Sequence, residues 1–313
     1  MDTRNYGYNP TKEEQDIQPE DFPFLSGKFV KEKFDKLTDY RPKGEKQRGT
    51  YIDSYMCVPF SFCKAIAYRM NWRMKHRMGT AERKWLEDNG FIDNGEFNAS
   101  DLFLGIMAGV VYGQGTSMKR VLTIAGINGI LSEKSFPFRY NAKNWNELTE
   151  KPGPELLSKA KKWLERYKIW YENVGTDIEK MKQALDYGAL WVGGAAWYNK
   201  SKGIYQRVNK PANHAFLVDR YVEIPGPNND YWEAPDSYPT SDGNYVKKLA
   251  WNYRFWFVKQ VDVEYLLRDK EKDEPKYPAP ADGETNGTPV KKGLLLSFWQ
   301  IWDFIFHKLG IKK

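Results

Sequence analysis

The chain has 313 residues, 41% of them hydrophobic, with 12 Trp, 20 Tyr and 17 Phe. So much aromatic surface requires a packed core and excludes a disordered chain, and the length suffices for one large domain or two lobes around a shared interface. The formal charge of +7 would attract an acidic polymer or a membrane surface. No helix-turn-helix, zinc-ligand set or RNP-like run accompanies it, so no nucleic-acid partner is expected.

The first 36 residues are polar apart from "FPFLSGKFV" and read as an extended lead-in. The opening "MDTRNYGYNPTKEEQDIQPEDF" has no apolar core, so neither a signal peptide nor a membrane anchor is expected, and location in the cytoplasm or in a particle assembled there follows. Residues 37–56 are loop-like, with Pro42, Gly44 and Gly49. "CVPFSFCKAIAYRMNWRMKH", 57–76, reads as a helix: Pro59 fits the first turn, and Phe60, Cys63, Ala67 and Met70 keep helical spacing. Residues 80–89, 98–111 and 116–129 read as further helices, the last ending at Gly126 or Gly129, and two more lie within 153–187.

After residue 188 the texture changes. "ALWVGGAAW", "GIYQRV", "HAFLVDRYVEI", "YWEA" and "YRFWFVKQVDV" are short apolar or alternating runs broken by Gly, Pro and Asn, and they read as strands. The expected class is α+β, with a helical lobe at about 37–150, a β-rich lobe at about 188–268, and a ligand cleft between them. Residues 269–292, charged and Pro-rich, read as a flexible linker. The tail 293–313, "GLLLSFWQIWDFIFHKLGIKK", is apolar with Ser297, Gln300, Asp303 and His307 on one stripe. It suits an interfacial helix at a membrane surface or one docking into a larger assembly, better than a spanning helix; packing back on its own domain is the alternative.

The two cysteines, Cys57 and Cys63, lie six apart on one predicted helix. They face different directions and cannot bridge. Cys57 opens the helix, where the dipole and free N–H groups favour a thiolate; Cys63 sits among Phe62, Ile66 and Ala67 and reads as core. Of three histidines, His307 lies in the apolar tail and His76 at a basic helix end expected to be exposed. His214, in "PANHAFLVDRY", opens a predicted strand. A lone histidine there is more often structural than catalytic, and only its neighbours change that balance.

At this point a resemblance enters. "CVPFSF" resembles the "CWAFS" helix of papain-like cysteine peptidases, and "NHAFLVDRY" their "NHAVLVVGY" histidine strand, 157 positions downstream. In the same order, "DYRPKGEKQRG" (39–49) resembles "DWR…VKNQG", "FNASDL" (97–102) resembles "LSEQEL", and 113–138 resembles the "GGxxxxAlxyixxnGixxExxYPY" stretch. "ALWVGGAAW…GIY" (189–205) resembles "PVSVAI…GIY", and "YWEAPDSYP" (231–239) resembles "YWxvkNSWG".

The resemblance implies a two-lobed papain-like fold over residues 37–268 and peptide-bond hydrolysis, with a peptide or protein as substrate and no cofactor or metal. It implies Cys57 as nucleophile, His214 as its ion-pair partner and acid, and Asp236, where the family has Asn, as the group that orients the imidazole. Gln47 would donate its amide to the oxyanion beside the Cys57 N–H. Gly115 would lie near the glycines that pair with substrate backbone, Gly193 and Ala215 would line the main side-chain pocket and admit a bulky apolar residue, and Tyr238 would cover the Asp–His pair.

There are departures. Gln47 lies ten residues before Cys57 against six in the family, so four residues are inserted or Gln47 is not the donor. The family's disulfides are absent, and the lead-in is shorter than its inhibitory propeptide, so any latency must be controlled differently. Two other readings share the pattern: an inactive papain-like scaffold in a virion or envelope assembly, and an amidase of cell-wall peptides.

Overall fold

The computed structural model describes residues 6–10, 22–23 and 32–267. The linker 269–292 and the tail 293–313, with their expected roles, lie outside the described residues, as does most of the lead-in. In chain order the elements are β1 (Phe22–Pro23), α1 (Cys57–His76), α2 (Thr80–Asp88), β2 (Ile92–Asp93), β3 (Glu96–Phe97), α3 (Asp101–Met107), α4 (Met118–Asn128), α5 (Trp145–Leu148) and α6 (Pro154–Lys161). There follow β4 (Tyr167–Asn173), α7 (Ile178–Leu185), β5 (Leu190–Gly194), β6 (Lys200–Ser201), β7 (Ile204–Tyr205), β8 (His214–Val218), β9 (Arg220–Val222), β10 (Tyr231–Pro235), β11 (Val246–Ala250) and β12 (Phe255–Tyr265).

The helix starts follow capping chemistry. Ser100 Oγ accepts the Phe103 N–H at 3.1 Å, Ser117 Oγ the Arg120 N–H at 3.2 Å, and Asp177 Oδ1 the Lys180 N–H at 2.9 Å, each satisfying a first-turn donor. α4 stops at Gly129, whose φ of +71° favours glycine and whose Cα lies so close to the Ala160 carbonyl that no Cβ fits. α3 is shorter than the expected 98–111 helix. Ala99 bridges to Ser132 and the Ser100 N–H donates to Leu131 O at 2.8 Å, which holds the first residues extended.

Helix α1 is the central element, packed against α3, α4, β8 and β12. It is buried on nearly all sides although it carries polar groups, because each finds a partner on another element. Ser61 Oγ donates to Cys57 O at 2.7 Å and accepts the Trp191 indole N–H at 2.8 Å. Tyr68 donates to Asp219 at 2.5 Å, Arg69 to Asp262 at 2.8 Å, and Arg73 to Glu82 at 2.8 Å. His76, expected to be exposed, is instead half-buried at the helix end, hydrogen-bonded to the Tyr40 hydroxyl at 2.7 Å.

Two five-stranded sheets form the β part, in the orders β1-β4-β12-β5-β8 and β6-β7-β11-β10-β9. In β5 and β8 the alternation divides the side chains between two cores. Trp191, Ala215 and Leu217 join the core around α1, while Leu190, Val192, Phe216 and Val218 join a second core with Trp232, Leu249 and Phe255. Burial on both faces explains why these strands are nearly continuous apolar runs. Strands β4 and β11 were not among the expected ones. β4 pairs with β12 from Tyr167↔Tyr265 to Asn173↔Lys259, and β11 pairs with β10 from Ala250↔Tyr231 to Val246↔Pro235.

Candidate active site

Four element ends meet at one place: the start of α1, the start of β8, the residues just after β10, and the start of β11. Cys57 is the first residue of α1 and is fully buried. The Ala215 N–H donates to its sulfur at 3.3 Å. His214, the residue before Ala215, opens β8 opposite Gly194. Its Nε2 lies 2.5 Å from Asp236 Oδ1, and its Nδ1 is buried with no hydrogen-bond partner among the described residues. Burial opposes ionisation of Asp236, but Coulombic attraction and hydrogen bonds from His214 and Lys247 hold its carboxyl well below the usual range. An ionised carboxylate only accepts, so Nε2 carries a proton toward Asp236, and Nδ1 is the ring nitrogen left to exchange a proton with a reacting group.

The Asp236 carboxylate is fully used. Oδ1 also accepts the Ser237 N–H at 2.8 Å, while Oδ2 accepts the Trp197 indole N–H at 3.1 Å and Lys247 Nζ at 2.5 Å. Rings close around the imidazole: Tyr6 at 5.2 Å, Trp197 at 5.5 Å, Phe216 at 5.7 Å and Tyr238 at 5.7 Å between centroids.

Gln47 reaches the site. Between Gln47 and Cys57 the chain turns back on itself: Arg48 forms a β-bridge with Asp53 and the Gly49 N–H donates to Ile52 O at 2.9 Å. Gln47 Nε2 donates to the Tyr238 hydroxyl at 2.6 Å and to the Tyr6 carbonyl at 3.2 Å, and Oε1 accepts from Ser237 Oγ at 2.6 Å. The Tyr238 hydroxyl in turn donates to Asp53 Oδ2 at 2.6 Å.

The cleft is occupied by the chain's own N-terminal segment. The Tyr6 N–H donates to Asn213 O at 3.0 Å and its carbonyl faces Gln47. Backbone bonds follow, from Thr116 N to Gly7 O at 3.1 Å and from Asn9 N to Thr116 O at 2.9 Å. Gly115, at φ +76°, packs directly on the Gly7 carbonyl; the residue that pairs with the segment's backbone is its neighbour Thr116. The Tyr8 ring is 1% exposed and lies against Gly193, whose partner across β5 and β8 is Ala215. Thus Gly115, Gly193 and Ala215 are brought together with the other candidates, around a segment of this chain.

Burial works against one expectation. The helix start was expected to favour a Cys57 thiolate. Instead burial pushes the thiol well above its ordinary range; the Ala215 N–H opposes this, and the Asp236 and Asp53 carboxylates add to it. Burial thus works against the thiolate that the helix start favours. Cys63 is buried, as a core residue should be.

Sequence reasoning did not single out Tyr6, Tyr8, Asp53, Trp197, Asn213 or Lys247. The one signal for Lys247 was indirect: a carboxylate at position 236, where an amide was expected, calls for a cation.

No family model matches the chain, and no curated protein matches it. Among solved structures, xylellain, a cysteine protease from Xylella fastidiosa, matches with a TM-score of 0.52 and 17% identity over 84% of this chain and 96% of its own. Digestive procathepsin L 3 of Tenebrio molitor larval midgut matches with a TM-score of 0.48 and 15% identity over 82% of this chain and 76% of its own. The bromelain protease from Ananas comosus, in complex with the E64 inhibitor, matches with 0.47 and 15% over 74% and 96%. The chain has the papain-like fold: α+β and two-lobed, with α1 at its centre.

Proposed function

We propose that the protein is a cysteine peptidase held latent by residues 6–9 of its own chain. The observation that carries this reading is His214, with Nε2 bound to the Asp236 carboxylate, Nδ1 without a hydrogen-bond partner among the described residues, and the next residue's amide on the Cys57 sulfur. In this mechanism the segment first leaves the cleft. The Cys57 thiol gives its proton to His214 Nδ1, and the thiolate attacks the substrate carbonyl carbon. The oxyanion takes hydrogen bonds from the Gln47 amide, now spent on the Tyr6 carbonyl, and from the Cys57 backbone N–H. His214 then protonates the leaving amine as the C–N bond breaks, leaving a thioester. It next takes a proton from water, whose oxygen attacks the thioester; the acid is released and the proton returns to sulfur.

The pocket beside Gly193, filled by Tyr8, supports a preference for an aromatic side chain in the substrate at that position. Support for an inactive scaffold as the second reading comes from the buried thiol.

One experiment separates the two. Iodoacetamide labelling with peptide mapping, from about pH 4 to about pH 9, is run on wild type and His214→Ala, each with and without residues 1–10, beside hydrolysis of aromatic peptides. Fast acid labelling of Cys57 that requires His214 is expected once the segment is removed. Labelling that rises only near the free-thiol range, about 8.5, in every form would leave the scaffold. We also propose, from sequence alone, that residues 293–313 tether the enzyme to a membrane surface or larger assembly. Loss of co-sedimentation on deleting 290–313 is the expected result, and retained co-sedimentation would refute it.

A further inference from the structure

Asp236 is a carboxylate at a position where a neutral amide would suffice to hold the imidazole. Its charge is buried, with a side chain 0% exposed, and it acts on the Cys57 sulfur. A negative charge there opposes formation of the thiolate that the proposed reaction needs. Lys247 answers that charge. Its side chain is 3% exposed, and Nζ lies 2.5 Å from Asp236 Oδ2, the oxygen that His214 does not use. Nζ also donates to the Tyr238 carbonyl and lies 4.7 Å from the centroid of the Trp197 ring.

The position is built by strand register. Lys247 sits on β11 opposite Ala234, and the Asp236 N–H continues the ladder to Tyr245 O at 2.9 Å. The lysine therefore arrives from the strand next to the one that delivers the aspartate. A lysine at an inward strand position is costly without a partner, and this one has three. Among the described residues the ionisable groups facing the cluster are Cys57 from α1, Asp53 from the preceding loop, Tyr6 from the N-terminal segment, Tyr205 from β7, Tyr238 after β10, and Tyr253 just before β12.

We propose that Lys247 is a positioning residue of this site. By binding Oδ2 it commits Oδ1 to His214, and it turns Asp236 into half of a neutral pair, so that the carboxylate orients the imidazole without setting a net negative charge against the Cys57 sulfur. The role rests on the cysteine–histidine reading of the site, and it is tested so that the two can fail separately.

The experiment follows carbamidomethylation of Cys57 against pH, by peptide mapping, in five full-length proteins: wild type, His214→Ala, Lys247→Met, Asp236→Asn, and Asp236→Asn/Lys247→Met. For a unit charge within about 10 Å, at an effective dielectric near 20, Lys247→Met should move the midpoint alkaline by about one pH unit. The double variant, again neutral, should return to within about half a unit of wild type. A Lys247→Met profile lying on that of wild type, or a double variant that stays with the single one, overturns the role. A merely structural ion pair would lower the melting temperature and leave the midpoint in place. If Lys247→Met does not fold, Asp236→Asn decides: with Lys247 left as an unbalanced cation the midpoint should move acid by about a unit, and an unmoved midpoint refutes the role. The His214→Ala profile reads the cysteine–histidine pair independently. If it overlies wild type, that pairing fails, while the comparison of the two Lys247 variants still reads the field of Asp236 at the sulfur.

Discussion

Truncating Tyr8 to alanine should open the cleft. The ring is 1% exposed, rests on Gly193 and meets the edge of Phe257 at 6.1 Å between centroids. A buried aromatic side chain removes about 150 Å² or more from water, worth about 3–4 kcal/mol at about 25 cal/mol/Å². Tyr8 belongs to a terminal segment, so its loss should weaken docking of residues 6–9 more than folding of the domain. A loss of about 3 kcal/mol raises the open fraction roughly a hundredfold. With opening fast relative to labelling, the rate of Cys57 alkylation by iodoacetamide near pH 7 should rise by about that factor, and hydrolysis of small peptides should rise with it. An unchanged rate with unchanged melting temperature would refute the reasoning. A large fall in melting temperature, without faster labelling, would show that Tyr8 is core for the whole domain and not a displaceable occupant.

Other outcomes follow from the same geometry. Gly193→Val places a Cβ 2.8 Å from the nearest atom of the Tyr8 ring, so the variant should label faster at Cys57 and, on segment-free protein, lose aromatic substrates while keeping ones with a small side chain at that position. Glu133 is pushed up to about 7, first by burial and then by Glu45, against the Phe138 N–H. A carboxyl raised on folding adds stability that is complete below about pH 4.5 and lost as pH rises through about 7. In urea titrations across that window, Glu133→Gln should therefore remove part of the decline, at most about 3 kcal/mol; an identical slope in the variant would disprove this. Arg41 donates to Asp219 at 2.6 Å and to Glu233 at 3.0 Å. Arg41→Met leaves Asp219 buried with only the Tyr68 hydroxyl, and should cost about 3–5 kcal/mol in chemical denaturation; a loss under about 1 kcal/mol would mean that Asp219 is hydrated or protonated.

Local chemistry was legible in the sequence. The α1 helix follows apolar spacing and a proline placed in its first turn, and it runs from Cys57 to His76 as expected. The runs beginning at Leu190, His214 and Phe255 are strands because one buried sheet needs continuous apolar residues, which show without knowing the partner. The approach of Cys57, His214, Asp236 and Gln47 followed from a resemblance in motif order, not from spacing or composition.

What remained hidden depends on contacts far apart in sequence. "YKIWYEN" and "VKKLA" mix charged and apolar residues, and become β4 and β11 only because β12 and β10 offer them ladders. Among the described residues, eight of the candidate site's bonds join segments no local pattern connects, among them Lys247 to Asp236 and Gln47 to Tyr6. The state of Cys57 shows the division most clearly. Sequence determined that a thiol would begin a helix, a position that favours its anion. Tertiary structure decided its surroundings: the residue is fully buried, and burial pushes the thiol well above its ordinary range.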